Sequence, residues 1–502
     1  MSDSARSRVI NGAWPMSRRR FLQTSALATA GWAAGAGVLA GCGDGGGSGA
    51  VDNASRLSVD PGVPWWLQNG FDPVADELFE TSLAVRGRIP AELDGLYVRN
   101  GSNPRNSDSP HWFFGDGMVH GVRFENGRPV WYRNRYIQTP LYIRGLPFNG
   151  GLPPTGGNNQ SNVSALFHGG RLLTSGEVGF PYQLDPADLS TIGALNFRGR
   201  LNTSFTAHPK IDPATGSMHA FGYWFMPPYL TYHVIDAGGA IVHSQTIGVD
   251  QPTMIHSFAV TDRDVVFWEL PVVFSLEAAL AGSDNPFSWT PEYGARIGVM
   301  PLGGRADEIR WVEIEPCYVF HEINAFRDGT EIVVDCCRHD YMFAGETFGD
   351  APLRVHRWRI DTAGEQLRFR DEVAFDAEYE LPSHDRRFTG RRQRFGWMLD
   401  TRTNADTVDL GGIVAVDFES GRVERWDPGV TRHANEAFFV PSGPAEAEGW
   451  LLSFVYDHAA DASDLVILDA RRVAAGPVAE IRMPRRVPHG FHGVWVPGTA
   501  LG

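Results

Sequence analysis

Four histidines stand in settings that could bring their imidazole rings together. The chain contains 16 histidines. Three of them, His208, His256 and His321, each begin a short segment that is followed by a polar turn and then by a strand-like apolar run, and His492 lies in a strand-like segment close to the C-terminus. A single histidine in such a setting is more often structural than functional. The repetition, however, favours a group of neutral imidazoles that binds a metal ion.

The segments that must position these histidines are typical of an all-β domain spanning residues 63–502. Short runs rich in Val, Tyr, Phe, Trp and Thr alternate with turn signals such as Asn126-Gly127, without a sustained helical period. Residues 121–139 are predicted to form a β-hairpin, and the best helical candidate is the short segment 275–282. Many hairpins in one long domain predict a β-propeller, in which the innermost strand of each blade faces a common axis. Histidines on different blades can therefore converge there.

The composition excludes several classes of protein. A chain of 502 residues with 43% hydrophobic and 21% charged residues can enclose a large core and is not typical of a disordered protein. The formal net charge of −15 argues against a nucleic-acid partner, because basic residues supply most of the affinity for phosphates. Lys210 is the only lysine. Four cysteines are too few for a disulfide framework, and the adjacent Cys336 and Cys337 are predicted to serve only packing.

The N-terminal residues resemble an export signal. Residues 17–22 (SRRRFL) precede an apolar stretch rich in Ala and Gly, which is typical of a twin-arginine signal peptide over residues 1–41. Residues 39–42 (LAGC) resemble a bacterial lipobox, and a flexible tether is predicted over 42–62. We therefore expect an exported protein, periplasmic or otherwise extracytoplasmic, that is lipid-anchored at Cys42. The alternative is a cytoplasmic protein with an accidentally arginine-rich start.

Several motifs follow one another in an order typical of one enzyme family. They include residues 95–101 (GLYVRNG), residues 111–120 (HWFFGDGMVH) and the four histidine segments, and the match covers nearly the whole chain from Leu78 onward. With these motifs the chain resembles the carotenoid cleavage oxygenase family, which is related to the lignostilbene dioxygenases and to the retinal pigment epithelial membrane protein. The resemblance implies a seven-bladed β-propeller with a mostly helical or loop-built dome over one face.

The same resemblance implies a mononuclear, non-haem Fe(II) site. Its four ligands would be His208, His256, His321 and His492. Family spacing favours His492, within the motif GFHG, over the nearby His489. The family also places glutamates behind three of the ligands, at positions that match Glu177, Glu380 and Glu436. Each glutamate alone could be a solvated surface charge, but a ligating imidazole needs an acceptor for its second N–H, and a buried carboxylate without a partner would be costly.

The implied activity is that of a dioxygenase. Both atoms of O2 would be inserted across one C=C bond to give two carbonyl products, with O2 as the co-substrate and no external reductant. The substrate would be an apolar polyene, a carotenoid or apocarotenoid. Aromatic runs at residues 221–230, 268–274 and 286–289 could line its tunnel, although core packing explains them equally well. Peripheral membrane association is expected, and no obligate protein partner is indicated.

Three alternative functions stay open. Relatives that cleave phenolic stilbenes carry a lysine immediately before the first of these glutamates, where this chain has Gly176, so a carotenoid is favoured over a stilbenoid. Val163 occupies a position where many bacterial members have a small hydroxyl residue. A retinoid ester isomerohydrolase is the second alternative, against which the bacterial export signal argues. The third is a non-catalytic exported propeller that binds a lipid and whose histidines are structural.

Overall fold

Antiparallel strands make up most of the protein in the computed structural model. The structure describes residues 60–501, apart from 107–108, 147–155, 282, 284, 345–350 and 405–406. These residues lie within one compact unit. The predicted signal peptide over 1–41, the lipobox with Cys42 and residues 42–59 of the predicted tether fall outside the described residues.

The strands of the described residues are numbered along the chain. They are β1 (Phe79–Glu80), β2 (Val85–Gly87), β3 (Gly95–Ser102), β4 (Gly117–Glu125), β5 (Arg128–Tyr136), β6 (Ser164–His168), β7 (Arg171–Ser175), β8 (Tyr182–Leu184), β9 (Thr191–Ala194), β10 (Lys210–Ile211), β11 (Met218–Tyr223), β12 (Leu230–Ile235), β13 (Ile241–Ile247), β14 (Ala259–Val260), β15 (Asp264–Glu269), β16 (Val272–Phe274), β17 (Phe287–Trp289), β18 (Ala295–Pro301), β19 (Arg310–Ile314), β20 (Tyr318–Asp328), β21 (Glu331–His339), β22 (Leu353–Asp361), β23 (Arg368–Phe375), β24 (Tyr379–Ser383), β25 (Phe395–Asn404), β26 (Thr407–Asp417), β27 (Val423–Trp426), β28 (Arg432–Ala434), β29 (Phe438–Pro441), β30 (Gly449–Asp457), β31 (Ala462–Asp469), β32 (Pro477–Arg482) and β33 (Gly493–Pro497).

Helices contribute little to the described part of the chain. It contains two α-helices of five residues each, α1 (Pro140–Arg144) and α2 (Leu276–Leu280), besides short 3-10 turns. Helix α2 lies within the segment predicted to be helical, and the Ser275 hydroxyl caps it by accepting a hydrogen bond from the Ala278 backbone N–H at 3.1 Å. None of the described helices has the length and apolar character needed to cross a membrane. Irregular segments therefore provide most of the connections between strands.

Seven sheets of four or more strands, counted over the described residues, form the blades of the predicted propeller. Four blades consist of consecutive strands, β6 to β9, β10 to β13, β20 to β23 and β24 to β27. A fifth has the order β14-β15-β18-β19, and the hairpin β16-β17 is inserted into it. The remaining two blades have the orders β1-β5-β4-β3-β33 and β2-β32-β31-β30-β28, with β29 paired to β30. The prediction of a seven-bladed β-propeller is confirmed.

Strands from opposite ends of the chain close the ring. The C-terminal strand β33 pairs antiparallel with β3, from Gly95 opposite Pro497 to Arg99 opposite Gly493. The N-terminal strand β2 pairs with β32. Ring closure leaves only short, protected sheet edges, which limits edge-to-edge aggregation of a protein with this much strand.

The hairpin predicted from the sequence is formed by β4 and β5. Its two turn residues, Asn126 and Gly127, have φ angles of 48° and 70°. Two consecutive positive φ angles are required by the type I′ turn that matches the twist of a two-stranded ribbon. A Cβ atom at Gly127 would lie 2.7 Å from the Pro90 carbonyl oxygen, so glycine is needed here for space as well as for conformation.

Large apolar side chains fill the space between blades. Trp397 on β25 is fully buried and stacks on Phe439 of the next blade, with ring centroids 4.7 Å apart. Its indole N–H donates to the Ala470 carbonyl oxygen at 2.9 Å.

Cys336 and Cys337 on β21 are fully buried, and burial raises the pKa of both thiols well above the ordinary value, which agrees with a packing role.

Replacing Trp397 by alanine is expected to lower the free energy of unfolding by about 3–5 kcal/mol, because it leaves a cavity between two blades and an unpaired carbonyl at Ala470. Urea denaturation followed by circular dichroism would measure the loss. Ile143→Ala, at a side chain that is 63% exposed, is the control and should change the free energy by less than about 0.5 kcal/mol. Equal effects of the two substitutions would contradict the prediction.

Candidate metal centre

The four predicted histidines lie on four different blades, each beside or within a strand at the end of its sheet. His208 precedes β10, His256 precedes β14, His321 is within β20, and His492 directly precedes β33. The inner strand of a propeller blade faces the axis, so residues far apart in sequence meet there.

The imidazole rings of these histidines surround one point. The ring of His208 has its centroid 4.4 Å from that of His256, 5.0 Å from that of His321 and 4.7 Å from that of His492. The Nε2 atoms of His208 and His256 are 2.9 Å apart, and one ring nitrogen from each of His208, His321 and His492 lies within 4.8 Å of the others. This is the spacing of nitrogen atoms that share one ion.

A glutamate contacts the Nδ1 atom of three of these histidines. His321 Nδ1 lies 2.6 Å from Glu380 Oε2, and His492 Nδ1 lies 2.9 Å from Glu436 Oε1. His256 Nδ1 lies 2.8 Å from Glu177 Oε2, but off the hydrogen-bond direction. A carboxylate at Nδ1 fixes the tautomer in which Nε2 carries the free lone pair. For His321, the buried Nε2 atom has no hydrogen-bond partner, as expected of a nitrogen that binds a metal ion.

The three glutamates come from the three blades that carry none of these histidines. Glu177 follows β7, Glu380 lies on β24, and Glu436 lies between β28 and β29. Each of the seven blades therefore contributes one side chain to the centre. This arrangement explains why the seven residues are spread over most of the sequence.

The second oxygen or a neighbouring backbone group holds each glutamate in place. The Tyr223 hydroxyl donates to Glu177 Oε1 at 2.8 Å. The backbone N–H of Gly493, next to His492, donates to Glu436 Oε2 at 2.7 Å. The backbone N–H of Leu381 donates to Glu380 Oε2 at 2.5 Å. Carboxylates restrained in this way orient the rings more precisely than a single contact could.

The protonation states suit a metal centre. Burial, reinforced by the neighbouring imidazoles, lowers the pKa of His208 well below its ordinary value. Burial also lowers the pKa of His321, although Glu380 opposes the shift. Burial alone would raise the pKa of Glu380, but the contacts with His321 and His339 hold that pKa far below the usual range. At neutral pH the rings of His208 and His321 are therefore uncharged and each has a nitrogen lone pair for a metal ion, and Glu380 is ionised.

His489 lies outside this cluster. Its Nδ1 atom is 3.0 Å from the side-chain nitrogen of Asn435, and its ring packs 4.7 Å from that of Phe71. Val163 does lie near the centre, because its carbonyl oxygen accepts the backbone N–H of His492 at 3.1 Å. Its isopropyl side chain cannot donate a hydrogen bond.

The aromatic residues beside the histidines were not singled out by the sequence reasoning. The ring of Phe320 lies 5.2 Å from that of His256, and Phe113 lies 6.2 Å from Phe320 and 5.9 Å from Phe491. Two of these phenylalanines directly precede His321 and His492 in sequence, which was the available signal. They give the centre an apolar border.

Part of the predicted aromatic runs packs together. Phe225 stacks on Phe274 with centroids 5.2 Å apart, and Phe274 lies 5.5 Å from Phe287. These contacts join the 224–230 loop to the hairpin β16-β17, whereas Tyr223 of the first run reaches the centre through its hydrogen bond to Glu177. A run of aromatic residues does not by itself indicate which surface of a blade it covers.

The chain is similar to several known proteins over most of its length. A family model described as retinal pigment epithelial membrane protein matches residues 71–497. A carotenoid cleavage oxygenase of Mycobacterium tuberculosis is 33% identical, covering 86% of this chain and 98% of the relative. A crystal structure of a Pseudomonas brassicacearum lignostilbene dioxygenase has a TM-score of 0.80 at 28% identity, and the match covers 88% of this chain and 100% of that one. A mutant of a Synechocystis apocarotenoid oxygenase has a TM-score of 0.77 at 26% identity, and the match covers 86% of this chain and 98% of that one. The Synechocystis enzyme has also been solved in a cobalt-substituted form.

Proposed function

Because the chain belongs to the family of the retinal pigment epithelial membrane protein and the carotenoid cleavage oxygenases, we propose that it cleaves a C=C bond of a carotenoid or apocarotenoid with O2, giving two carbonyl products. The observation that carries the proposal is the convergence of four imidazoles, three of them backed by glutamates, at the axis of the propeller. A non-catalytic, lipid-binding propeller would have no need of such a buried polar cluster, whose desolvation is costly.

His208, His256, His321 and His492 would hold one Fe(II) ion. The ion, when bound, supplies the redox-active centre at which O2 reacts with an alkene. The donor set fits a divalent metal of this kind, because four imidazoles face one another, burial lowers the pKa of His208 and His321, and the His321 Nε2 atom has no hydrogen-bond partner. The cobalt-substituted form of a Synechocystis relative supports a divalent metal in this protein as well.

The protein's own contribution is orientation and exclusion of water. Glu380 and Glu436 hold the Nδ1 side of His321 and His492 by hydrogen bonds, and Glu177 contacts the Nδ1 atom of His256, so that the Nε2 side of each ring is left for the metal. The apolar border of Phe113, Phe320 and Phe491 suits a hydrocarbon chain. A substrate held there presents one double bond while bulk water stays outside.

The residue before Glu177 favours a carotenoid-type substrate over a stilbenoid. Gly176 lies where stilbene-cleaving relatives carry a lysine for the phenolic oxygen, and a Cβ atom here would lie only 3.2 Å from the Ser161 backbone nitrogen. The chain's single lysine, Lys210, is held in an ion pair with Glu322. The similarity to a lignostilbene dioxygenase keeps stilbenoid cleavage as the second candidate.

Turnover tests distinguish these functions. Iron-loaded protein is incubated with an apocarotenal and with a hydroxystilbene, under air and under nitrogen, and the products are identified by mass spectrometry. We expect the apocarotenal to be cleaved to two carbonyl compounds in air only. Cleavage of the stilbene alone would favour the second candidate, and no turnover of either compound by protein with a full complement of iron would refute the proposal.

Peripheral membrane association is part of the proposal. Near the Phe225–Phe274 stack, Met226 is 50% exposed, and Leu276 and Leu280 on α2 are 48% and 81% exposed. Such a group of exposed apolar side chains supports docking on a lipid surface in which a carotenoid dissolves. We define this group of three residues as the apolar patch.

Replacing Leu280 by aspartate is expected to weaken binding to phosphatidylcholine vesicles about 10-fold, because burying a leucine side chain in lipid contributes about 1.5–3 kcal/mol. Vesicle co-sedimentation measures the effect. Val430→Asp introduces the same charge at a side chain that is 64% exposed outside the patch, and it should bind vesicles like the parent protein. Equal binding by both variants would contradict docking through the patch.

Export by the twin-arginine route and acylation of Cys42 complete the proposal, on the sequence features alone. Cys42→Ser is expected to move the protein from the membrane fraction toward the soluble extracytoplasmic fraction, because a single docking patch binds lipid reversibly. Fractionation of cells that express each form measures this. If the variant stays as firmly membrane-bound as the parent protein, the anchor is elsewhere.

A further inference from the structure

The only lysine of the chain forms a largely buried ion pair between two segments of the metal centre. Lys210, two residues after His208, contacts Glu322, the residue after His321. Their side chains are 15% and 6% exposed. The hydroxyl of Ser257, the residue after His256, donates to Glu322 Oε2 at 2.6 Å and lies 3.3 Å from Lys210 Nζ.

These three residues connect three successive blades. Lys210 begins β10, Ser257 precedes β14, and Glu322 is on β20. Each strand lies at the end of a different sheet, so no backbone ladder among the described strands joins them to one another. The Lys210–Glu322–Ser257 contacts supply a direct link between the segments that carry His208, His256 and His321.

Stability alone does not account for an ion pair at this place. The cost of removing two charges from water offsets most of their attraction, and well-packed apolar residues often stabilise a fold equally well. A charged link does, however, fix distance and direction, which apolar contacts do not. The segment of His492 has its own restraint, the bond from the Gly493 backbone N–H to Glu436.

We propose that Lys210, Glu322 and Ser257 are positioning residues that hold His208, His256 and His321 at the spacing required by one metal ion. The inference rests on the metal site of the proposed function and adds a layer beyond the glutamates that contact the rings. We call these three residues the clasp.

An electrostatic role and a positioning role of the clasp predict different changes in metal affinity for two substitutions. Lys210→Met removes a positive charge near the centre, which by electrostatics alone would tighten cation binding. Glu322→Gln removes a negative charge, which would weaken it. If the clasp acts through geometry, both substitutions weaken metal binding.

The experiment is a titration of the metal-free full chain with Co2+, followed by the visible absorption bands of the bound ion, with thermal unfolding measured on the same samples. We expect Lys210→Met and Glu322→Gln each to lower the affinity about 10-fold and to shift the Co2+ bands. Ser257→Ala should lower it by a smaller factor, and Lys210→Arg, which keeps the charge, should retain most of it.

Arg357→Met is the matched control. Arg357 pairs with the fully buried Asp335 at 2.7 Å, between β22 and β21, and none of its described hydrogen bonds or ion pairs is with a segment that carries one of the four histidines. This variant should lose thermal stability without any change in Co2+ affinity or spectrum.

Two results would overturn the inference. Parent-like Co2+ binding by both Lys210→Met and Glu322→Gln would give the clasp a purely structural role, and opposite changes in affinity would give it a purely electrostatic one. If either charge variant fails to fold, Ser257→Ala and Lys210→Arg decide, and an unchanged affinity for Ser257→Ala overturns the inference. Failure of the parent protein to bind Co2+ would instead refute the metal site itself.

Discussion

Replacing His321 by alanine is expected to abolish C=C cleavage and to leave the protein without stoichiometric iron. The substitution removes a ring whose Nε2 atom is buried without a partner and whose Nδ1 atom is held by Glu380 at 2.6 Å. Changes to outer partners of a metal ligand already cost about 10–100-fold in metal affinity or activity, so loss of a ligand should cost more than about 100-fold. Iron content by elemental analysis and turnover of an apocarotenal in air measure the two effects.

His356→Ala is the control for the loss of a buried histidine as such. His356 on β22 is buried and lies 2.6 Å from a carboxylate, Asp371, as His321 does from Glu380. It contacts none of the four histidines of the centre in any described contact. We expect this variant to lose stability but to keep iron and turnover. If His321→Ala kept both as well, the assignment of the centre would be wrong.

The convergence of the four histidines was predictable because one physical rule generates it. Each begins or lies in a segment that leads into an inner strand, and inner strands of a propeller meet at the axis. The pairing of glutamates with histidines was not predictable in the same way. Glu177 meets His256 two blades further along, whereas Glu380 on β24 meets His321 on the preceding blade. Which side chains meet at the axis depends on the twist and tilt of whole sheets.

The contacts within the clasp could not be predicted from the sequence either. Lys210, Ser257 and Glu322 lie next to histidines that the repeated sequence pattern had already marked, yet nothing in the sequence pairs a lysine on one blade with a glutamate two blades further along. For the aromatic runs the sequence left tunnel lining and core packing open for a different reason. Apolar patterning predicts burial, but burial against a blade and burial against a substrate have the same composition.

Replacing Glu436 by glutamine is expected to lower metal affinity about 10–100-fold while leaving the fold intact. Glu436 is 3% exposed and accepts two donors, the Nδ1–H of His492 at 2.9 Å and the Gly493 backbone N–H at 2.7 Å. A glutamine has one acceptor oxygen and one NH2 group, so one of these donors would face another donor in a buried place. Co2+ titration and iron content measure the loss.

A substitution at a second buried glutamate tests whether the loss of metal affinity in Glu436→Gln depends on the position of the acceptor. Glu269→Gln is the matched control, since Glu269 at the end of β15 is 1% exposed and pairs with Arg296 on β18 at 2.6 Å, and none of its described contacts is with a histidine of the centre. Both variants remove a buried negative charge, but only Glu436 restrains a ring of the centre. A fall in metal affinity confined to Glu436→Gln therefore reports loss of orientation at His492, whereas equal affinities in the two variants would mean that His492 keeps its orientation without the carboxylate.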